Sequence, residues 1–260
     1  MSVFHFKQFD VLNERSAMKV NTDGTLLGAV AEVFPGESSI LDIGTGTGTI
    51  ALMVAQRLSK VSEDWHVLGI DIDTPSAEEA TLNFANSPWA SHMTAVCTPL
   101  SALVPSEYVA VPQTDASDGG VFDLIVSNPP YYDSSLKAPE ARRNSARHVG
   151  DKEECPSSDV LSYREILEFA SEFLKEGGRV AMVLPADQEK ALLRHARMCG
   201  FMPWKVLRIK TVPRKNPSRI IVQFVRRGKF VETMEEELTL MDEKGRRASQ
   251  QTSLLTDYLL

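Results

Sequence analysis

Apolar and polar positions along this chain follow two periods in turn. Short apolar runs are succeeded by longer stretches in which apolar side chains recur every three or four residues. The runs at 39–43, 66–71, 93–97, 122–126 and 178–184 read as buried strands, and 204–211 with 219–226 as a closing hairpin. Between them, 48–58, 75–86, 161–174 and 187–198 read as amphipathic helices. Gly177, Gly178 and Gly200 stand just past helical stretches, where helix stops belong. Alternating strands and helices predict an α/β fold: a doubly wound, mostly parallel sheet of seven strands with an antiparallel C-terminal hairpin. Residues 105–120 and 132–160 carry neither period and read as loops. One domain is expected over 1–230, with 231–260 as an extension packed on it.

The first strand runs into Asp42-Ile43-Gly44-Thr45-Gly46-Thr47-Gly48 and then into a helix. Glycines at Gly44, Gly46 and Gly48 let a ligand approach the backbone, and the following helix start offers unpaired N–H groups. A nicotinamide site is the rival reading, but the spacing is G-x-G-x-G and Asp42 stands beside the loop. A carboxylate there suits the ammonium of an amino-acid tail rather than a pyrophosphate. The second strand ends in Asp71, placed to accept the two hydroxyls of a ribose. Asp73 or Thr74 reads as the cap of the next helix, with Pro75 at its start and Glu78 and Glu79 in its first turn.

After the run 122–126 comes Asn128-Pro129-Pro130-Tyr131. In an open parallel sheet the carboxyl ends of strands are where ligands bind. The Asn128 side-chain oxygen and the Pro129 carbonyl are two acceptors fixed by proline geometry, suited to one NH2 group. Tyr131 adds a face on which a ring can stack.

Composition narrows the classes. Three cysteines, Cys97, Cys155 and Cys199, make neither a disulfide framework nor a zinc site, so a reducing compartment is expected and no metal. No apolar run approaches a membrane span, and the start lacks the layout of a signal peptide, so a cytoplasmic location and no membrane partner are expected. The net charge of −7 conceals an asymmetry: residues 190–231 hold 12 basic and no acidic side chains. A local polyanion site is the expectation, centred on the proline-framed loop with Arg214, Lys215 and Arg219. Lys137, Arg142, Arg143, Arg147 and His148 form a second basic set after Tyr131.

Asp42 to Gly48, Asp71 and Asn128 to Tyr131 together resemble the class I S-adenosylmethionine-dependent methyltransferases of the amino-methylating branch. Phe6-Lys7-Gln8-Phe9, Met18 to Ala29, Ser127 to Tyr132, Ala146-Arg147 and the tail Leu254 to Leu259, similar to a closing helix, narrow this to the tRNA1(Val) adenine-37 N6-methyltransferases. The resemblance covers most of the chain. It implies S-adenosyl-L-methionine as cofactor, tRNA as partner, a monomer, and Lys19, Thr22 and Asp23 in a segment that closes over the methionine part of the cofactor. Asn21 or Thr22 also reads simply as the cap of an apolar helix from Thr25 to Val33. Lys7 joins the expected RNA-binding set. One departure stands out: Val96 to Ser101 has no acid for the cofactor's adenine amino group, leaving Ser101 or backbone groups. The rivals are a glutamine N5-methyltransferase acting on release factors, a DNA adenine methyltransferase, and a non-catalytic RNA-binding protein. Only about 38 residues precede the first strand, which is short for the helical domain a release-factor enzyme carries.

Overall fold

Residues 2–109, 120–130, 161–226 and 232–259 of the chain are described in a computed structural model. A small hairpin of β1 (Val3–His5) and β2 (Asp10–Leu12) leads into α1 (Thr22–Val30). Then follow β3 (Ser39–Ile43), α2 (Thr49–Leu58), β4 (His66–Asp71), α3 (Thr74–Ala85), β5 (Met93–Cys97) and β6 (Phe122–Ser127). The second half holds α4 (Tyr163–Phe173), β7 (Leu174–Pro185), α5 (Glu189–Met198), β8 (Phe201–Lys210), β9 (Arg219–Arg226), β10 (Met234–Thr239) and α6 (Ser249–Leu254).

Among the described residues the main sheet has eight strands in the order β10-β8-β9-β7-β6-β3-β4-β5. All neighbours are parallel except where β9 pairs with β7 and β8. The seven expected strands are present, and β10 is an eighth, parallel to β8 at the sheet edge. Its sequence, Met-Glu-Glu-Glu-Leu-Thr, lacks the apolar alternation that marks a strand. It is held by the backbone ladder and by charge: Glu235 meets Arg208 at 2.8 Å and Glu237 meets Lys210 at 2.7 Å across the pair.

The period-2 pattern of the strands divides the core between two faces. Ile40, Val67 and Leu124 pack with Leu26, Leu52 and Phe84 from α1, α2 and α3. Their chain neighbours Leu41, Leu68 and Ile125 pack with Ile166, Leu167 and Leu192 from α4 and α5. Central strands buried on both faces are what a doubly wound parallel sheet requires. Gln223, buried in β9, secures α1 to the sheet: its carbonyl accepts the Glu32 N–H at 2.9 Å and its amide donates to the Val30 carbonyl at 3.0 Å.

Several expected boundaries shift. The N-cap of α1 is Asn21, whose side chain accepts the Gly24 N–H, so this helix starts at Thr22 and ends at Val30 rather than running from Thr25 to Val33. Asp73 caps α3 by accepting the Ser76 N–H. The helix α4, opened by a capping box between Ser162 and Glu165, ends at Phe173, before the Gly177-Gly178 pair that the pattern marked as its stop. The chain turns extended at Leu174, and Gly177 serves a left-handed turn within β7 at φ +76°. The tail forms its helix at Ser249–Leu254, ahead of the motif at 254–259 expected to be helical, which instead follows as a turn.

The glycine turn after β3 holds a tight packing constraint. Gly48, N-cap of α2, has φ +80°, and a Cβ there would lie 2.5 Å from the Phe84 ring. Left-handed backbone and overpacking together predict that Gly48→Ala destabilises the protein by about 2–4 kcal/mol. Denaturant unfolding midpoints at constant m-value measure this, and a variant with a wild-type midpoint contradicts it.

Candidate active site

The chain proceeds outward from β3 to β4 and β5, then returns to lay β6 on the other side of β3. This reversal is the switch point at which ligands bind in open α/β sheets. A cavity of about 670 Å³ opens there, lined by Ile43, Gly44 and Gly46 after β3, Asp71 to Asp73 after β4, and Thr98 to Ser101 after β5. Asn128 and Pro130 after β6 form its wall beside Ser16 to Met18, and Leu161, Glu165, Glu168 and Phe169 close the side facing α4.

The loop is shaped by three residues with positive φ, Gly44 (71°), Gly46 (57°) and Gly48 (80°). Gly44 and Gly46 face the cavity; Gly48 is turned into the core against Phe84. The Gly44 and Thr45 N–H groups both donate to the Ile70 carbonyl at 2.9 Å, and Gly46 N–H donates to the Asp71 carboxylate at 2.8 Å. The tips of β3 and β4 are thus tied together by the cavity floor.

Two acids sit in this floor. Asp42 has no exposed surface and lies beneath the loop; one carboxylate oxygen accepts from Thr45 Oγ1 at 2.8 Å and Ala51 N–H at 3.2 Å, and the other, Oδ1, is buried without a partner among the described residues. Burial pushes its pKa from 3.8 up to about 7, the two hydrogen bonds oppose this, and the nearby Asp71 adds to it. Asp71 borders the cavity, and burial raises it too, against the N–H donors of Asp73 and Gly46. Each Asp71 oxygen accepts one backbone N–H and keeps capacity for a further donor. Two acids held above their ordinary range favour a cation or hydroxyl donors and disfavour a phosphate.

Asn128 follows β6 directly, where Ser127 Oγ donates to the Ile43 carbonyl at 2.7 Å and pins β6 to β3. Asn128 and Pro129 are nearly buried and Pro130 is half-buried on the cavity wall. Tyr131 lies outside the described residues, as do Lys137, Arg142, Arg143, Arg147 and His148.

The segment 14–19 lies across one side of the cavity. Its anchor is Glu79, which the sequence reading placed in the first turn of α3; with Asp73 as N-cap and the helix starting at Thr74, that turn holds no acid and Glu79 lies beyond it. The Glu79 carboxylate accepts the N–H groups of Glu14 (2.7 Å), Arg15 (2.8 Å) and Ser16 (2.8 Å). Burial works to raise this carboxyl, but the three donors outweigh it and hold the pKa below the ordinary glutamate value. Lys19 points back along the segment, donating to the carbonyls of Glu14 at 2.5 Å and Ser16 at 2.9 Å. Thr22 opens α1, and Asp23 meets Arg219 at 2.9 Å. Met18, which the sequence reading left without a role, lines the cavity and touches Asn128. Its signal was its position inside the quoted stretch Met18 to Ala29.

Part of the basic stretch, on β8, is answered by acids from elsewhere. Lys205 pairs with Glu32, Arg208 with Glu189 and Glu235, and Lys210 with Glu237. These three side chains are therefore engaged within the protein and stand apart from the local polyanion site expected on the 214–219 loop. Arg214 and Lys215 are exposed in the turn between β8 and β9. Because β8 runs parallel to the central strands, this turn is at the same end of the sheet as the cavity. Lys7 is occupied at the other terminus, donating to the Thr256 carbonyl at 2.5 Å. Among the described residues no three His, Cys, Asp or Glu side chains gather as metal ligands, and no helix is long and apolar enough to cross a membrane.

The fold is shared with solved methyltransferase structures. A structure from Agrobacterium tumefaciens, described as a predicted O-methyltransferase, aligns at a TM-score of 0.63 with 16% identity, covering 91% of this chain and 96% of that one. Sequence relatives are nearer. A protein of Parabacteroides distasonis is 35% identical over 257 residues, 99% of this chain and 97% of the relative. One of Bacteroides fragilis is 39% identical over 223 residues, 85% of this chain and 83% of the relative. Both bear the name tRNA1(Val) (adenine(37)-N6)-methyltransferase. The sequence pattern of one family, described as RNA methyltransferase, matches residues 19–198, and with relatives this similar along almost the whole chain, the protein belongs to that RNA methyltransferase family.

Proposed function

We propose that the protein transfers a methyl group from S-adenosyl-L-methionine to the N6 amino group of adenine 37 in the anticodon loop of a tRNA1(Val)-type tRNA, in the cytoplasm. The observation that carries this reading is the position of Asn128: its side chain stands in the wall of the same cavity whose floor is the Gly44–Gly46 turn and Asp71. The names of the relatives supply the substrate.

The residues present fit the cofactor. Gly44 and Gly46 offer a floor without side chains, Asp71 retains acceptor capacity for ribose hydroxyls, and the orphaned Oδ1 of Asp42 is the buried acceptor that a nearby ammonium would stabilise. Thr98 to Ser101 border the end of the cavity beyond Asp71, so Ser101 and the backbone there are the β5 groups available to an adenine. When bound, the cofactor supplies a methyl group already activated by its sulfonium. What remains for the protein is to improve a poor nucleophile. The lone pair of an adenine amino group is delocalised into the ring. Asn128 and the Pro129 carbonyl accept its two hydrogens, draw the nitrogen toward tetrahedral geometry, and interact more strongly as positive charge develops. Tyr131 provides a stacking face for the extruded base, and an anticodon-loop base costs less to unstack than a duplex base. The proton is lost after transfer, so no strong general base is needed. Arg214 and Lys215, exposed at the cavity end of the sheet, are the groups that would meet tRNA phosphates.

Three outcomes follow. Asn128→Ala should lower methyl transfer about a hundredfold or more with tRNA affinity retained, since a removed transition-state contact acts on kcat; nucleoside mass spectrometry of unmodified tRNA reads it as loss of N6-methyladenosine at position 37, and an active variant refutes the assignment. The second concerns pH. Asp42 holds its proton in the folded protein up to about 7 but releases it near 3.8 when unfolded, so its contribution to stability falls as pH rises between these values. A bound ammonium favours the ionised form, so cofactor affinity by calorimetry should strengthen from pH 6 to 8, and Asp42→Asn should flatten that rise. An identical pH profile in the variant removes Asp42 from the site. Finally, replacing Arg214 and Lys215 by alanine should weaken tRNA binding and reduce the slope of log affinity against log salt by about one per lost phosphate contact; an unchanged slope places the RNA elsewhere.

A further inference from the structure

We infer that Met18 is a positioning residue for the reaction: its thioether fixes which edge of the Asn128 amide faces the target amino group. The inference rests on the reading of Asn128 as the acceptor of that group. Asn128 Nδ2 donates to Met18 Sδ at 3.4 Å. A thioether has lone pairs and no proton to give, so only the NH2 edge of the amide can face it. The amide is planar with its oxygen on the opposite edge, so a sulfur on Nδ2 directs Oδ1 away from Met18.

The direction matters because an asparagine has two faces of similar shape and opposite polarity. Turned one way, Asn128 offers an acceptor to the NH2 group of an adenine. Turned the other way, it opposes a donor with a donor. A partner on the Nδ2 edge favours the orientation that supports transfer.

Met18 is built to be that partner. Its side chain is 40% exposed and belongs to neither hydrophobic layer of the core. Its backbone is placed from both sides. The Met18 carbonyl accepts Ser16 Oγ at 3.0 Å and passes 3.7 Å from where a Cβ on Gly46 would stand. Ser16 is itself fixed by Glu79, and Lys19 closes on the carbonyls of Glu14 and Ser16. The placement of the catalytic amide is therefore relayed from a carboxylate on α3 through the 14–19 segment to a sulfur atom.

The test compares Met18→Leu and Met18→Gln in the full-length protein, with unmodified tRNA as substrate, kcat and KM measured, and cofactor affinity followed by calorimetry. Leucine keeps apolar volume and removes the acceptor; glutamine brings a carbonyl acceptor to similar reach. Loss of one modest hydrogen bond predicts about a five- to tenfold drop in kcat for the leucine variant, with cofactor affinity unchanged, and recovery in the glutamine variant. A side chain that only packs predicts the reverse order, leucine active and glutamine impaired, and that result overturns the inference. So does a leucine variant whose defect lies in cofactor affinity alone. Asn128→Asp gives a second measurement should the glutamine variant not fold: a carboxylate accepts on both edges, so in that background Met18→Leu should cause no further loss, and a full five- to tenfold loss there is contrary to the inference. Failure of the underlying reading is distinguishable, because it shows as full activity in Asn128→Ala, whereas an inactive Asn128→Ala with a fully active Met18→Leu sinks only the role of Met18.

Discussion

The backbone bond from Gly46 N–H to the Asp71 carboxylate is the interaction on which the site depends. It joins the tip of β3 to the tip of β4 at 2.8 Å and is possible because Gly46 adopts a left-handed conformation that other residues resist. With β3 and β4 locked at their ends, the cavity floor has a fixed width. Ser127 extends the lock to β6 by its bond to the Ile43 carbonyl. The residues that meet the ligand can then be few, because strand spacing places them.

Charge is arranged with the same economy. The cavity floor holds two acids whose burial resists ionisation. On the far side of the sheet, the acidic strand β10 lies against the basic strand β8 and cancels most of it. Exposed basic side chains remain on α5 at Lys190, Arg194 and Arg197, and in the turn carrying Arg214 and Lys215, at the cavity end of the sheet. Packing thus removes the β8 part of a long basic run and leaves the rest on α5 and on the β8–β9 turn.

The fold was legible wherever burial enforced a period. Every central strand announces itself, since β3, β4, β6 and β7 are apolar on both faces. β10 did not, because an edge strand held by ion pairs has no need of apolar alternation. The end of α4 falls within one residue of the expected 174, but Gly177-Gly178 lie inside β7, where Gly177 makes a turn, rather than at a helix stop. In the site, Gly44, Gly46, Asp71 and Asn128 are brought together as their spacing implied. Asp42 lies under the loop rather than on the cavity surface, and residue spacing does not encode that depth. Glu79 was invisible as an anchor because its three partners are backbone groups more than sixty residues away, and a backbone donor has no sequence signature.

The insertion of β9 between β7 and β8 sets an order of assembly. Among the described strands, β8 pairs only with β9 and β10, both of which follow it in the chain. The sheet from β5 to β7 can be complete, with the Gly44–Gly46 turn, Asp71 and Asn128 already in register, while β8 has nothing to dock on. As the chain leaves the ribosome, the strands that frame the cavity are therefore available before the turn that carries Arg214 and Lys215.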